Sequence, residues 1–341
     1  MATTLPSSAY RDPGVYEHER RAVWRDEWLL FCPAAHVAER GQYVAADVAG
    51  FAVFVATGPD GELHGFHNVC PHRAGVIVWP GQGTAGNLVC RYHGWAFGWD
   101  GALRSPRDFG DDPGLCADDH ALRRIHVERW RSFVFVHLGE PATPLTEAIE
   151  PFAAACERFD LDQYLPVHRM VRNLRCNWKT YADNYLEGYH VPLLHPSLNR
   201  TLDMSTYRVD VPHPSFCAHS ANTAAGSPSG GAWLFRFPNL ALNVYADGMN
   251  VERIMPVGHD RTQVVYDYFA RPDDGSSRDP VDIEAMVKMS NVVLDEDQAI
   301  CEAVQHNLDA GVYEAGRLSP RHEGALAWFQ SRITDALTTW A

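Results

Sequence analysis

Cys70-Pro-His72-Arg-Ala-Gly75 and Cys90-Arg-Tyr-His93-Gly94-Trp95, with seventeen residues between His72 and Cys90, are the stretches whose reading decides the fold. Each supplies one thiolate and one imidazole and then runs into glycine. Two cysteines and two histidines in this pattern suit a [2Fe–2S] cluster with Cys₂ on one iron and His₂ on the other. Neutral imidazoles raise the potential of such a cluster above that of an all-thiolate one. A Cys₂His₂ zinc site uses the same ligand types. Zinc fingers, however, usually put both cysteines in one knuckle and both histidines in the other. Mixed halves favour the cluster.

The longer run Cys90-Arg-Tyr-His93-Gly-Trp-Ala-Phe-Gly-Trp-Asp100-Gly-Ala-Leu-Arg-Ser-Pro106-Arg107 resembles the second cluster loop of a known family. That family is the α subunits of Rieske non-haem iron oxygenases. Respiratory-chain Rieske proteins differ, carrying an extra cysteine in each loop where this sequence has Gly75 and Tyr92. The resemblance implies a low-potential cluster that passes NADH-derived electrons to a mononuclear Fe(II). It also implies an α+β fold: a small all-β Rieske [2Fe–2S] domain and a helix-grip catalytic domain with an antiparallel sheet and long C-terminal helices.

Composition agrees. A length of 341 residues suggests two domains. There are 29 basic and 43 acidic residues, for a net charge of −14. No Lys/Arg-rich run supplies the basic footprint that nucleic acid requires. The acidic surface suits a basic redox partner, and solubility explains it equally well. Met-Ala-Thr-Thr-Leu-Pro-Ser-Ser lacks the charged and apolar regions of a secretory signal. No apolar run reaches the ~18–20 residues of a membrane span. Cys32, Cys116, Cys156, Cys176, Cys217 and Cys301 follow no framework spacing and are expected to stay reduced. The expectation is a soluble cytoplasmic protein with neither nucleic-acid nor membrane partners.

Residues 1–27 are expected to form an N-terminal helix packed on the catalytic domain, with the cluster domain at 28–140 and the catalytic domain at 141–341. Gln42–Val48, Phe51–Ala56, Glu62–Phe66 and Ser132–Leu138 read as strands, with Pro59-Asp-Gly61 as a turn. Pro141, Pro144 and Pro151 punctuate a linker. In the second half His168–Arg175 is strand-like, and Trp178–Tyr189 reads as a helix that Pro192 terminates. Further strands are expected at Tyr207–Val211, Ser215–Ser220, Trp233–Phe237, Ala241–Tyr245, Val251–Val257 and Gln263–Ala270, with a flexible loop at Asn222–Gly231. Val281–Leu308, with Ile283, Met286, Val287, Val293, Leu294, Ile300 and Val304 at helical spacing, reads as a long helix. His322–Leu337 is a last one.

Asn177-Trp178-Lys179-Thr-Tyr-Ala-Asp183-Asn184-Tyr-Leu-Glu187-Gly-Tyr189-His190-Val-Pro-Leu-Leu-His195 is the second constellation. Asp183, Glu187 and His190 are expected on one helical face. A bend at the proline would return His195 to the side of His190. Two histidines and a carboxylate make the facial triad of non-haem Fe(II) oxygenases. Relatives of choline monooxygenase carry a Glu-Asp-x-x-x-Cys-Glu-x-x-Gln run similar to Glu296-Asp297…Cys301-Glu302…Gln305, with the aspartate on iron. The resemblance thus assigns His190, His195 and Asp297 to the metal, with Asp295 and Glu296 as near alternatives. It also assigns Glu187 as the bridge to a cluster histidine of a neighbouring subunit, with Asp183 as the fallback and Asn184 beside them in the site.

The family reaction is RH + O₂ + NAD(P)H + H⁺ → ROH + H₂O + NAD(P)⁺. Hydroxylation of an N-methyl carbon leads on to demethylation with loss of formaldehyde. With no flavin or nucleotide motif in the chain, electrons are expected from a separate reductase, with or without a ferredoxin. Glu187, the Asp297 helix and Gly316–Glu323 resemble the choline, glycine-betaine and carnitine branch. An aromatic cage for an ammonium group would draw on Tyr181, Tyr185, Tyr207, Trp233, Phe235, Phe237 and Tyr245, although half-buried strands show the same alternation. Hydroxylation or cis-dihydroxylation of an aromatic substrate is the alternative. Outside this class stand a Rieske electron carrier and a redox sensor. The resemblance further implies a homotrimeric ring, because cluster and iron of one chain lie too far apart for turnover.

Overall fold

A computed structural model describes residues 2–223, 231–245, 248–270 and 280–339. Two compact units emerge, one of Arg25–Ala148, the other of Met1–Trp24 with Ile149–Ala341.

In the first unit, seven antiparallel strands lie in the order Leu29–Pro33, Phe133–His137, Arg124–Trp130, Leu63–His67, Phe51–Thr57, Gln42–Val48 and Gly81–Thr84. Gln42–Val48 and Phe51–Thr57 are rich in β-branched and aromatic residues and meet across a two-residue turn. That turn needs positive φ at Ala49 (49°) and Gly50 (83°), as tight hairpins do. A small sheet of Leu88–Val89, Ala96–Phe97 and Leu103–Ser105 carries the second cysteine loop. Cys70 and Cys90 belong to the same buried apolar cluster as Phe54, Phe66, Leu88 and Trp95, so both loops are rooted in the core.

The second unit is built on another seven-stranded antiparallel sheet. Its order is Leu165–Leu174, Arg261–Ala270, Gly248–Gly258, Leu240–Val244, Gly231–Arg236, Phe216–Thr223 and Leu202–His213. Several strands run longer than expected because their ends pair beyond the apolar segments. Residues 224–230, most of the expected loop at 222–231, lie outside the described residues. The helices Trp178–Tyr185 and Pro280–Asp309 pack on each other. Leu294, Asp297, Cys301, Gln305 and Leu308 form the buried stripe of the longer one, whereas Ile300 and Val304 face outward.

Three local expectations change. The N-terminal segment is two helices, Ser8–Arg11 and Pro13–Ala22, and does not run on to Trp28. Asp12 caps the second helix by accepting the Gly14 N–H at 2.7 Å, and Pro13 opens its first turn. Pro151 likewise sits in the first turn of a helix, Glu150–Cys156, rather than in open linker. The helix from Trp178 ends at Tyr185, four residues early.

Candidate metal centres and active-site cavity

The two cysteine loops share one turn. Cys70 N–H donates to Gly75 O and Cys90 N–H to Trp95 O, both at 2.8 Å. Ala74 and Gly94, the fourth residue after each cysteine, both take positive φ, 55° and 79°. A Cβ on Gly75 would stand 2.9 Å from Cys90 Sγ, so glycine is required where the loops meet. The His72 and His93 rings lie 4.8 Å apart, with Trp95 stacked on His72 and Tyr92 on His93. Nδ1 of both histidines is buried without a hydrogen-bond partner, although the rings themselves are half-exposed. Burial, reinforced by the adjacent Cys90 sulfur, pushes the Cys70 thiol up to about 11.

Unpartnered inward nitrogens and paired thiols fit a metal group. A single zinc would need all four donors around one point. Among the described residues, only His190, His195 and Asp297 bring three such ligand atoms within 4.8 Å of one another. Thiol beside thiol and imidazole beside imidazole is the arrangement a two-iron cluster takes.

The geometry around His190 and His195 begins with the early end of the Trp178–Tyr185 helix. The Glu187 carboxylate turns back to accept the backbone N–H groups of Tyr189 and His190. Gly188 packs where a Cβ would meet Tyr207 Cζ at 2.3 Å. These contacts stop the helix before Pro192 is reached. Val191–Leu194 then makes a single helical turn flanked by the two histidines, and Pro196–Thr201 another. Glu187 is therefore not on a helical face with Asp183, contrary to expectation.

His195 Nε2 lies 3.0 Å and His190 Nε2 3.8 Å from Asp297 Oδ1. The other ring nitrogens are each held by a carboxylate: His190 Nδ1 by Glu187 at 2.5 Å and His195 Nδ1 by Glu296 at 2.7 Å. Asn184 Nδ2 donates to Asp297 Oδ1 at 2.7 Å. Burial alone would lower the His195 pKa, but the hydrogen bonds and charges of Asp297 and Glu296 raise it. Positive charge is thus favoured at this point, and the three side chains fit a divalent ion.

Asp295 points away to Arg172 and is 71% exposed. Asp183, the fallback bridge, accepts from Tyr10 Oη at 2.6 Å and Gln330 Nε2 at 3.1 Å.

A cavity of about 580 Å³ opens on the triad. Tyr181, Tyr185, Tyr207, Trp233 and Tyr245 line it. Phe235 and Phe237 do not. Phe235 shares a strand face with Trp233 but lies one step deeper, covered by Tyr185 on one side and by Trp328 and Phe329 on the other. Phe237 packs on Phe329 and under Arg332.

Sequence reasoning missed His219, Asn243, Asn250 and Glu252, all lining the cavity. Burial drives the His219 pKa down to about 3, so the ring is neutral, with Nδ1 2.6 Å from Tyr207 Oη. The only available signal was polar residues alternating with apolar ones in long strands, which reads as a solvent face. No helix among the described residues is long and apolar enough to cross a membrane.

Residues 27–109 match the model of the Rieske [2Fe-2S] domain. Residues 161–230 and 215–339 match that of the ring hydroxylating alpha subunit catalytic domain. The chain is 30% identical to choline monooxygenase of Beta vulgaris, with 98% of this chain and 77% of that protein covered. It is 27% identical to the carnitine monooxygenase oxygenase subunit of Escherichia coli K12, with 95% and 89% covered. The solved structure of the quaternary ammonium Rieske monooxygenase CntA with L-carnitine superposes with a TM-score of 0.87 at 25% identity, covering 98% and 96%. Two metal-type sites, two matching domain models and an end-to-end oxygenase relative lead to one family, and the chain belongs to the ring-hydroxylating α subunits of the Rieske non-haem iron oxygenases.

Proposed function

We propose that His190, His195 and Asp297 hold the mononuclear iron, that Cys70, His72, Cys90 and His93 hold the cluster, and that the cavity monooxygenates a small N-methylated cation. The carrying observation is the meeting of two imidazoles and one carboxylate within 4.8 Å at the wall of an aromatic cavity. Iron held by such a triad would supply the activation of O₂. The chain's own side chains do the remaining work. Glu187 and Glu296 fix which ring nitrogen each histidine presents, which orients it and strengthens it as a ligand. Asn184 holds Asp297 through Oδ1. Tyr185, Tyr207, Trp233 and Tyr245 offer ring faces to an ammonium group and exclude water.

Choline and carnitine, named for the relatives, supply the substrate class, and this ranks the aromatic alternative second. Electrons from NAD(P)H arrive through a separate reductase, with or without a ferredoxin, in the cytoplasm. Three chains in a head-to-tail ring would put each cluster beside its neighbour's iron, with Glu187 as the bridge. Exposed Trp79 and Tyr92 in the cluster stretch, and Tyr189 and Leu193 around the iron histidines, are apolar surfaces that such an interface covers.

Iron analysis tests the centre: an oxygenase holds about three irons per chain, whereas a carrier or sensor holds only the cluster's two. Formaldehyde release from a panel of N-methylated and aromatic compounds, with a surrogate reductase, tests the chemistry. Turnover of aromatics alone would replace the substrate reading.

A further inference from the structure

Among the described residues, three carboxylates line the cavity, and two have assigned work: Asp297 in the triad and Glu187 on His190. Glu252 has none. It is 5% exposed, on the strand Gly248–Gly258, and projects to the same side as Asn250 and Gly248, which also line the cavity. Its carboxylate accepts hydrogen bonds from Tyr181, Asn243 and Tyr266. Tyr181 Oη donates to Oε2 at 2.9 Å and Asn243 Nδ2 to Oε1 at 2.6 Å. Asn243 is itself oriented, its Oδ1 accepting from Tyr185 Oη at 2.6 Å. None of these donors carries a charge, and burial raises the Glu252 pKa to about 7, so a cation seated beside the carboxylate would favour its ionised form.

A buried carboxylate with neutral donors is costly unless a cation joins it. No lysine or arginine stands among the described lining residues to be that cation. Tyr181 and Tyr185, the rings flanking this network, present the faces an ammonium group prefers.

We infer that Glu252 is the specificity-determining counter-charge of the cavity, selecting cationic N-methyl substrates that carry no carboxylate of their own. A zwitterion would bring its acid end into a cavity already holding Glu187, Glu252 and Asp297, with no described basic side chain to receive it. An amino alcohol of the choline type brings only the cation. The inference rests on the N-methyl cation reading of the same site and narrows it.

The test uses iron-loaded enzyme and three probes: choline, its neutral carbon isostere 3,3-dimethylbutan-1-ol, and carnitine. Anaerobic calorimetry on the wild type should show choline binding at least about tenfold more tightly than either of the others, a step of one tenfold unit of affinity. Glu252→Gln, nearly isosteric and uncharged, should raise the dissociation constant and KM for choline about tenfold or more, with kcat, iron content and affinity for the neutral isostere little changed. Glu252→Asp should recover part of the preference. Equal binding of carnitine and choline by the wild type would overturn the exclusion of zwitterions. An unaltered choline preference in Glu252→Gln would overturn the role of Glu252 while leaving N-methyl turnover in place. Absence of any N-methyl turnover in the wild type would remove both readings together.

Discussion

At the cluster loops, four candidate ligands hang from two short turns closed by their own backbone hydrogen bonds, and the inward atoms are the Nδ1 nitrogens of His72 and His93. At the proposed iron site, the candidate ligands come from a helical turn and a distant helix, and the inward atoms are the Nε2 nitrogens of His190 and His195. The outer nitrogens differ as well. Glu187 and Glu296 occupy those of His190 and His195, whereas the His72 and His93 rings are stacked on Trp95 and Tyr92. A centre that only relays electrons can sit near the surface, with its outer edges open to a neighbouring chain. A centre that performs chemistry is locked from behind by charged partners. The interiors follow suit. Around the cluster loops the packing is apolar, while under the iron-side helix the Lys179–Glu19 pair is fully buried beside Asp183.

Removing ligands gives the largest effects and asks whether the two centres are separable. His72→Ala should bleach the visible spectrum and abolish turnover while retaining the mononuclear iron. Asp297→Ala should abolish turnover with the spectrum intact and about one iron lost per chain. Loss of both centres from either substitution would break the comparison. Next come the locks. Glu187→Gln should keep both metals yet fail to reoxidise the reduced cluster at the wild-type rate when O₂ and substrate are added, as followed in a single turnover. Glu296→Gln should instead weaken iron binding about 10–100-fold, read by competition with a chelator. Identical behaviour of the two variants would mean that neither carboxylate is specialised.

The smallest effect concerns the interior. Burial raises the Asp183 pKa from its ordinary value to about 7. Between the unfolded pKa near 4 and the folded value near 7, the unfolded chain binds fewer protons, so this group makes stability fall as pH rises through that window. Asp183→Asn should therefore stabilise the protein by up to a few kcal/mol at pH 8 and leave it unchanged near pH 4, as measured by denaturant unfolding. A gain independent of pH would mean that Asp183 is ionised throughout.

The cluster loops were legible because their chemistry is local: two tripeptide-scale spacings, each closed by its own turn, need no tertiary information. Asp297 was legible for a different reason. It was singled out by the resemblance of Glu296-Asp297…Cys301-Glu302…Gln305 to a run in relatives of choline monooxygenase, with Asp295 and Glu296 left as alternatives, and the structure then puts it on the buried stripe with Leu294, Cys301, Gln305 and Leu308. The helix end at Tyr185 was not legible. Proline is the obvious stop, whereas the actual one is a carboxylate folding back on two N–H groups and a glycine pressed against Tyr207. Glu252 and Asn250 were hidden by ambiguity of another kind, since a strand facing a cavity alternates just as a strand facing water does. Phe235 was misplaced because alternation gives the face of a strand and not the depth along it.

The single turn Val191–Leu194 between His190 and His195 has prolines at both of its joints, Pro192 and Pro196. Proline fixes φ near −65°, so the chain approaching and leaving this turn has little freedom to lose when an ion arrives. The two imidazoles are held as the jaws of a stiff clip, not gathered from a floppy loop. Iron should accordingly exchange by entering and leaving a standing socket: stripped by a chelator at neutral pH and restored on adding Fe(II), with the near-ultraviolet circular dichroism of the surrounding tyrosines and tryptophans unchanged throughout the cycle.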